Sequence, residues 1–454
     1  MRNKLVYIST RWPWPIRSGR EFMISQGLNA LNIDYDITYV YIGEKYPPEI
    51  PKIIKDVVVL KPPSPLQVLV NLISRRSAAL QEALFYSPQN GRECSDIVKA
   101  VKPDILICDM VRTASYAFRV RDDTSGQCPL IGCDMDDLLS RRYKQLQTSA
   151  TKVDFFGTYD RSIFWSFIEP MLALARNLVL RQEARRMARR ELMVGRSFDF
   201  VYLVSKHEAN LLEYNCPQGR IIHFPPAIEL NHISRRTRED NTDPASTPPY
   251  LRVGFIGDMR TSVNQNAALF ILDKLSPVMA SRNISLIFAG RAPKFLVERF
   301  KSANVNYMGF VTKVDDFYGS IDLLLAPYQS GTGIKIKIIE AMAYGAVVLT
   351  NSIGVEGLDA RAGCEFLIAE TVDAYLDALD LARLPGIRTE LSRNARAYID
   401  ASHSLNDVTK SLLSFLRALR KANELAAAKE AGPTGQTPIS CGNSALRPPS
   451  CNPF

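Results

Sequence analysis

The feature of this sequence that most constrains its fold is a repeated alternation of short apolar runs with longer stretches of helical periodicity. In the first half, Gly19–Leu31 is predicted as the first helix, and the predicted strands are Lys4–Ser9, Ile37–Ile42, Val57–Leu60, Ile105–Cys108, Leu130–Cys133 and Phe200–Val204. Fully apolar strands are typical of a parallel sheet that helices cover on both faces. The pattern returns in the second half, with predicted strands Leu251–Ile256, Ile284–Ala289, Val305–Met308, Leu323–Ala326 and Val347–Thr350. The sequence therefore predicts an α/β protein with two doubly wound domains facing a cleft.

Composition along the chain predicts the limits of these domains. The segment 234–249 is polar and rich in Thr, Pro and Asp, so we interpret it as a linker. It separates an N-terminal domain over 1–233 from a C-terminal domain over 250–403. A long helix is expected over 404–430 and a disordered tail over 431–454, where Pro, Gly and Ser dominate.

Charge and cysteine usage narrow the possible partners and compartments. The net charge of +9 suits a phosphorylated substrate, an anionic membrane or nucleic acid, but no zinc-finger spacing, RNP motif or lysine-rich arm favours nucleic acid. The eight cysteines form no CxxC pair, so no metal site is expected. The first residues predict a strand in place of a signal peptide, and no run reaches the roughly 18 apolar residues of a spanning helix. The sequence therefore predicts a cytoplasmic protein.

The strongest chemical motif is Ala326–Gly345, with the sequence APYQSGTGIKIKIIEAMAYG. A predicted strand ends there, and a glycine-containing loop leads into an amphipathic helix. Free backbone N–H groups at a helix start favour an anion, and a carboxylate one turn later can accept hydrogen bonds from two ribose hydroxyls. The motif predicts a diphosphate cradle and a ribose clamp, formed by Gly331, Thr332, Gly333, Lys335, Lys337 and Glu340. An ordinary strand–loop–helix with a glycine turn is the alternative interpretation.

This motif resembles the donor-site signature of family 4-like glycosyltransferases of the GT-B fold. The resemblance covers residues 250–400 well and the N-terminal half more loosely. Glu340 matches the family's second glutamate, which holds the ribose, whereas Thr332 stands where a first glutamate is usual. The resemblance implies a GT-B architecture with two Rossmann-like domains. It also implies transfer of a sugar from a nucleotide-diphosphate sugar to a saccharide, lipid-linked or other hydroxyl acceptor, with retention and without a metal or other cofactor.

Two further loops resemble parts of the same family's site. In the segment GFIGDMR, Gly257 would let the backbone approach the diphosphate closely and Arg260 would pair with it. In the N-terminal half, the segment RSGR resembles the acceptor-side loop. There Gly19 would reach under the donor phosphates and Arg20 would meet an anionic acceptor, while Ser18 is equally compatible with a plain helix N-cap.

Three acidic residues, Asp134, Asp136 and Asp137, follow a predicted N-terminal strand. The carboxyl ends of parallel strands face the cleft in doubly wound sheets. A carboxylate there can orient or deprotonate an acceptor hydroxyl, with Asp136 the best candidate and Asp137 the second. Salt links to Arg141 and Arg142 are the alternative explanation.

A basic amphipathic stretch over Arg176–Leu192 carries six arginines. The simple interpretation is a solvated helix face. The alternative is docking on an anionic membrane, for which Phe164, Trp165 and Phe167 would supply apolar anchors. Two locations are therefore compatible with the sequence, namely the cytoplasm and the inner face of the membrane.

Taken together, the residues and the resemblance predict a glycosyltransferase of polysaccharide or glycoconjugate biosynthesis. Two other functions stay open at this point. One is a nucleotide-sugar epimerase of the same fold, and the other is a non-catalytic nucleotide-sugar-binding partner in a polysaccharide assembly complex. The second is kept open by Thr332, because the sugar contact of the usual glutamate is missing.

Overall fold

A computed structural model describes residues 2–16, 18–74, 79–124, 128–148, 176–229, 251–303, 305–331 and 333–430. Thr332, the aromatic anchors at 164–167, the linker over 234–249 and the tail over 431–454 lie outside these residues. The chain divides into two compact units, Met1–Leu413 and Ser414–Phe454, and the first contains both sheets. The predicted domain limits stay predictions.

The N-terminal half forms a parallel sheet in which the described residues contribute seven strands, in the order β3-β2-β1-β4-β5-β6-β7. The strands are β1 (Asn3–Ser9), β2 (Tyr35–Ile42), β3 (Ile54–Leu60), β4 (Ile105–Asp109), β5 (Leu130–Asp136), β6 (Phe200–Leu203) and β7 (Ile221–His223). The helices are α1 (Gly19–Leu31), α2 (Pro65–Ser74), α3 (Leu80–Phe85), α4 (Pro88–Val101), α5 (Met110–Asp123), α6 (Leu139–Thr148), α7 (Arg176–Ser197) and α8 (Lys206–Asn215). Strand β1 lies between β2 and β4, with Tyr7 opposite Tyr39 and Ile107.

The second sheet is also parallel and, in the described part of the chain, has six strands in the order β10-β9-β8-β11-β12-β13. Its strands are β8 (Leu251–Ile256), β9 (Ile284–Ala289), β10 (Asn306–Tyr307), β11 (Leu323–Ala326), β12 (Val347–Thr350) and β13 (Leu367–Ile368). Its helices are α9 (Ser262–Phe270), a π-helical segment (Ile271–Leu275), α10 (Ser276–Ser281), α11 (Lys294–Ser302), α12 (Val314–Ser320), α13 (Ile336–Ala343), α14 (Val372–Ala382), α15 (Pro385–Ser402) and α16 (Leu405–Glu430).

The predicted fold class is confirmed, because both sheets are parallel, are packed by helices and have the strand reversal of doubly wound domains. Helix α1 and strands β8, β9, β11 and β12 have the predicted limits. The short edge strands β7 and β13 were not predicted, whereas the edge strands β3 and β10 were predicted with other limits. Strand β5 runs three residues further than predicted, which places two of the acidic candidates inside the strand.

The inner face of the basic helix α7 is apolar apart from Glu183 and Glu191, and its outer face is mainly basic. Leu180, Ala184 and Met187 are buried, whereas Arg181 and Arg185 are exposed. Among the residues that the structure describes, no helix is both long and apolar enough to cross a membrane.

Candidate functional site

The predicted diphosphate cradle lies between β11 and α13. Gly331 and Gly333 both have positive φ, 122° and 74°, a backbone conformation in which a residue with a Cβ is strained. Lys335 closes the loop, because its Nζ donates to the carbonyl of Gly333 at 2.6 Å and approaches that of Gly331 at 3.4 Å. Helix α13 begins directly afterwards at Ile336, so its first free N–H groups follow a loop that already holds an ammonium group.

Lys337 ties this helix to the loop after β8. Its Nζ donates to the carbonyl of Ile256 at 2.6 Å and to Oδ1 of Asn264 at 2.8 Å. A Cβ at Gly257 would lie 2.6 Å from the same ammonium group. A larger residue at position 257 would therefore require the end of the Lys337 side chain to move. The close approach of Gly257 to a diphosphate stays a prediction.

The ring of Tyr328 lies close to both lysines of the motif. Lys335 Nζ and Lys337 Nζ are each 5.7 Å from its centroid. Burial lowers the pKa of Lys335 to about 8 and that of Lys337 to about 8. Two ammonium groups that are partly shielded from water attract an anion more strongly than they would in bulk water.

Glu340 lies one turn into α13 and is half-buried. Its Oε2 accepts a hydrogen bond from the hydroxyl of Tyr318 at 2.8 Å, and the Tyr318 ring stacks on Tyr344 with centroids 4.9 Å apart. Burial raises the pKa of Glu340, while Tyr318 and Lys337 oppose this shift. One carboxylate oxygen is thus fixed by protein, which orients the group for a ligand.

Arg260 lies on the loop after β8 with its side chain 55% exposed. Its Nε donates to Oδ1 of Asp258 at 2.8 Å and its Nη2 to Oδ2 at 2.5 Å. This two-point contact holds the guanidinium at the surface. On the next loops, the guanidinium of Arg291 lies 4.7 Å above the exposed ring of Phe310, so a flat cation and an aromatic ring border the same end of the sheet.

The acceptor-side loop reaches the donor motif. A Cβ at Gly19 would lie 3.6 Å from Cδ1 of Ile336, so the start of α1 is next to the start of α13. Ser18 forms a capping box with Glu21, because Ser18 Oγ accepts from Glu21 N at 3.3 Å and Ser18 N donates to Glu21 Oε2 at 2.9 Å. The N-cap interpretation of Ser18 therefore holds in the structure.

Arg20 is placed differently from the expectation that it meets an acceptor. It is buried at the carboxyl ends of β4 and β5, where three carboxylates surround it. Nη2 lies 2.5 Å from Oδ1 of Asp109, and Nη1 lies 2.8 Å from Oδ1 of Asp134 and 3.3 Å from Oδ1 of Asp136. The three carboxylates already neutralise the charge of Arg20, which does not favour its predicted contact with an anionic acceptor.

The other hydrogen bonds of this cluster come from β1. Ser9 Oγ donates to Oδ2 of Asp109 at 2.5 Å, and the hydroxyl of Tyr7 donates to Oδ2 of Asp134 at 2.7 Å. Burial acts to raise the pKa of Asp109, but Arg20 and Arg112 hold it below its ordinary value. Burial raises the pKa of Asp134, because Arg20 only partly compensates for it.

Asp136 and Asp137 differ in accessibility. Asp136 has φ 65°, a left-handed conformation that is uncommon for a residue with a side chain, and it ends the strand at a register shift against β6. Its side chain is 17% exposed, whereas that of Asp137 is 7% exposed and paired with Arg142. Asp136 is therefore the more exposed of the two acids, and Asp137 forms the predicted salt link to Arg142. The catalytic role of Asp136 stays a prediction.

Asp137 also belongs to a set of charges near the donor motif. Its Oδ1 is buried and accepts no hydrogen bond from any described residue. Burial raises its pKa, and the charges of Asp137 and Arg142 act on Lys335 across the two domains. Burial and the charge of Asp137 raise the pKa of Glu208 to about 8. The structure thus brings the second acidic candidate and the first lysine of the cradle together.

Sequence reasoning missed Asp109 and Tyr7 as members of the site. Asp109 follows the apolar run of β4 just as Asp134 follows the apolar run of β5, so its position was a usable signal. Tyr7 lies in an apolar strand and gives no signal of its own. Among the described residues, no group of three or more His, Cys, Asp or Glu has an arrangement that could hold a metal ion.

The architecture resembles several solved structures, and these likenesses concern the fold. Sucrose-phosphate synthase from Thermosynechococcus elongatus matches with a TM-score of 0.63 and 15% identity, over 93% of this chain and 100% of that chain. Anabaena HepE in complex with UDP-glucose matches with a TM-score of 0.56 and 11% identity, over 91% and 99%. The lipopolysaccharide outer core galactosyltransferase WaaB matches with a TM-score of 0.56 and 14% identity, over 90% and 99%. Two doubly wound sheets with this likeness give the chain the GT-B fold.

A family match comes from the donor half of the chain. Residues 251–382 match the family described as Glycosyl transferases group 1, so the predicted resemblance to family 4-like GT-B glycosyltransferases is confirmed. A curated relative, an uncharacterized 44.6 kDa protein in the cps region of Klebsiella pneumoniae, is 24% identical over 234 residues. That match covers 48% of this chain and 56% of the relative, so the chain spans about half the length of the relative.

Proposed function

We propose that this chain transfers a sugar from a nucleotide-diphosphate sugar to a hydroxyl of a saccharide or lipid-linked acceptor. The observation that carries the proposal is the segment from Gly331 to Glu340, which joins a helix start, two half-buried lysines and an oriented carboxylate. The matched family and the UDP-glucose complex of a structural relative support a nucleotide-sugar donor. The cps-region relative supports polysaccharide biosynthesis as the setting.

In the proposed reaction, the leaving diphosphate is stabilised by side-chain cations and the helix start in place of a metal. Lys335 and Arg260 supply positive charge, and the first N–H groups of α13 supply the positive end of the helix dipole. Asp136 accepts the proton of the acceptor hydroxyl. Retention of configuration, independence of metal and the absence of a cofactor belong to this proposal and rest on the family resemblance.

A binding screen tests the proposal directly. The thermal midpoint is measured with UDP, GDP, ADP and TDP, since a ligand that binds only the folded state raises it. The sugar nucleotide of the base that stabilises most is then incubated with the protein, and release of free sugar is followed. Stabilisation with slow hydrolysis supports a transferase. Stabilisation without hydrolysis favours a binding partner, and no stabilisation by any nucleotide removes the assignment.

Glu340→Ala is expected to weaken nucleoside diphosphate binding by about 1–3 kcal/mol, the range for a hydrogen bond to a charged group. The reason is that the carboxylate held by Tyr318 is positioned to accept from ribose hydroxyls. Isothermal titration calorimetry measures the effect. Tyr318→Phe is the matched control, because it removes only the hydroxyl that orients Glu340 and should cost less. Unchanged affinity in Glu340→Ala would place the ribose elsewhere.

Lys335→Met is expected to lower turnover while the fold persists, and Arg260→Met should do the same. The wild-type affinity for a diphosphate should also depend on pH. Burial lowers the pKa of Lys335 to about 8 from an ordinary value of 10.5. The ammonium is charged below this pH, so affinity is full there and falls as the pH rises through about 8. Lys335→Arg, which stays charged, should keep more of its affinity in alkali. Full activity in both Met variants would refute this clamp.

A further inference from the structure

Helix α2, Pro65–Ser74, exposes a row of four apolar side chains. Its sequence, PLQVLVNLIS, contains no charged residue. Leu66, Leu69, Val70 and Ile73 are 71%, 51%, 48% and 58% exposed. Their spacing of i, i+3, i+4 and i+7 places them on one side of the helix. A helix on the surface of a water-soluble domain normally carries polar side chains on this side.

The inward face of α2 fixes this orientation. Val68 and Asn71 are buried. The Asn71 amide donates to the carbonyls of Ala83 and Tyr86 at 2.8 and 2.7 Å, and the Gln67 amide donates to Asn71 Oδ1 at 2.9 Å. A buried amide with its hydrogen bonds made is costly to expose. The helix therefore cannot rotate its apolar side inward without breaking these contacts.

The neighbouring surface is basic. Helix α3 receives α2 on one side through Asn71 and is joined to α7 by hydrogen bonds from Leu80 N to Glu183 Oε1 at 2.5 Å and from Arg190 Nε to Glu82 Oε1 at 2.9 Å. Helix α7 exposes a row of arginines at i, i+4 and i+8, namely Arg181, Arg185 and Arg189. In the sequence, Arg75 and Arg76 follow α2 directly. Apolar and cationic groups thus occur on adjacent helices of one domain.

We propose that the apolar face of α2 docks on an anionic membrane surface, with the arginines of α7 contacting the headgroups. An apolar helix face enters the boundary between headgroups and acyl chains, and each basic residue near such a surface contributes by attraction to anionic lipid. Charge complementarity selects lipid over an apolar protein groove, which would not need the arginines. The docking surface is independent of the proposed transfer reaction and can be tested without a substrate.

The test is flotation of the full-length protein with vesicles of phosphatidylglycerol and phosphatidylcholine, compared with vesicles of phosphatidylcholine alone. Wild type is expected to float with the anionic vesicles and less at high salt. Leu69→Gln with Ile73→Gln should reduce the bound fraction by about tenfold or more, since two apolar side chains that would be buried in lipid are replaced by polar ones. The matched control is Leu381→Gln with Leu384→Gln, which removes two exposed leucines from the other domain and should leave binding unchanged.

Three results would overturn the proposal. The first is absence of wild-type protein from the anionic vesicles at low salt. The second is a double α2 variant that floats as well as wild type. The third is a change in the soluble protein alone: a lower thermal midpoint or a loss of self-association in the α2 variant would show that this face is covered by protein.

Discussion

Replacement of Arg20 by Met is expected to lower the free energy of unfolding by about 3–5 kcal/mol, the cost of leaving buried charges without a partner. Arg20 lies within 2.5 Å of Asp109 and 2.8 Å of Asp134, and all three side chains are almost completely buried. Methionine fills a similar volume, so the loss comes from charge and not from a cavity. Urea-induced unfolding near neutral pH measures it.

The pH dependence of this loss identifies its cause. Without Arg20, burial would raise the pKa of Asp109 and Asp134 in the folded protein above their values in the unfolded chain. A carboxyl group with a raised folded pKa destabilises the fold above that pKa and ceases to do so once it is protonated. The deficit of Arg20→Met should therefore shrink as the pH falls into mild acid. A deficit that is independent of pH would indicate lost packing instead.

Arg260→Met provides the matched control for stability. This arginine also contacts a carboxylate at two points, but its side chain is 55% exposed. Exposed ion pairs contribute about 0–1 kcal/mol because water solvates both partners. Arg20→Met with a loss as small as that of Arg260→Met would show that the buried cluster is not maintained by the arginine charge.

The fold was predictable because the buried strands are short runs of mainly apolar residues. Strands β8, β9, β11 and β12 lie in the core on both faces, and their limits match the predicted ones. The edge strands β7 and β13 were not predicted, and the other two edge strands, β3 and β10, were predicted with limits that differ from the observed ones. The sequence pattern thus reports strand limits more accurately at the centre of the second sheet than at the sheet edges.

The donor motif and the acidic cluster differ in how much of them the sequence could predict. Gly331, Gly333, Lys335 and Glu340 are close in sequence, so local spacing already places them together. Arg20 and its carboxylate partners are 89 and 114 residues apart. Only the strand order of the sheet brings them together, and a single sequence does not report that order. This is why Arg20 was expected to meet a ligand and instead lies in a buried ion cluster.

Asp136→Asn is expected to lower hydrolysis of the sugar nucleotide by about 10²–10⁴-fold, the usual contribution of a positioned general base. Asp136 is more exposed than its neighbour, 17% against 7%, and lies at the end of β5 where a hydroxyl or water can reach it. Asparagine adopts the left-handed backbone at φ 65° readily, so the loop should keep its shape. Arg20 retains Asp109 and Asp134 as partners, so the buried cluster stays neutralised.

Asp137→Asn separates a base from a positioning residue in the same assay. Asp137 pairs with Arg142 and is too buried to meet an acceptor, so its replacement should affect turnover less than Asp136→Asn does. Nucleoside diphosphate affinity should change little in Asp136→Asn, because Asp136 pairs with Arg20 and not with the lysines of the donor motif. If Asp136→Asn keeps full turnover while Asp137→Asn loses it, the base is Asp137. Asp136 is then important only for the shape of the turn at the end of β5. If both keep full turnover, the proton is accepted by a group outside this acidic segment.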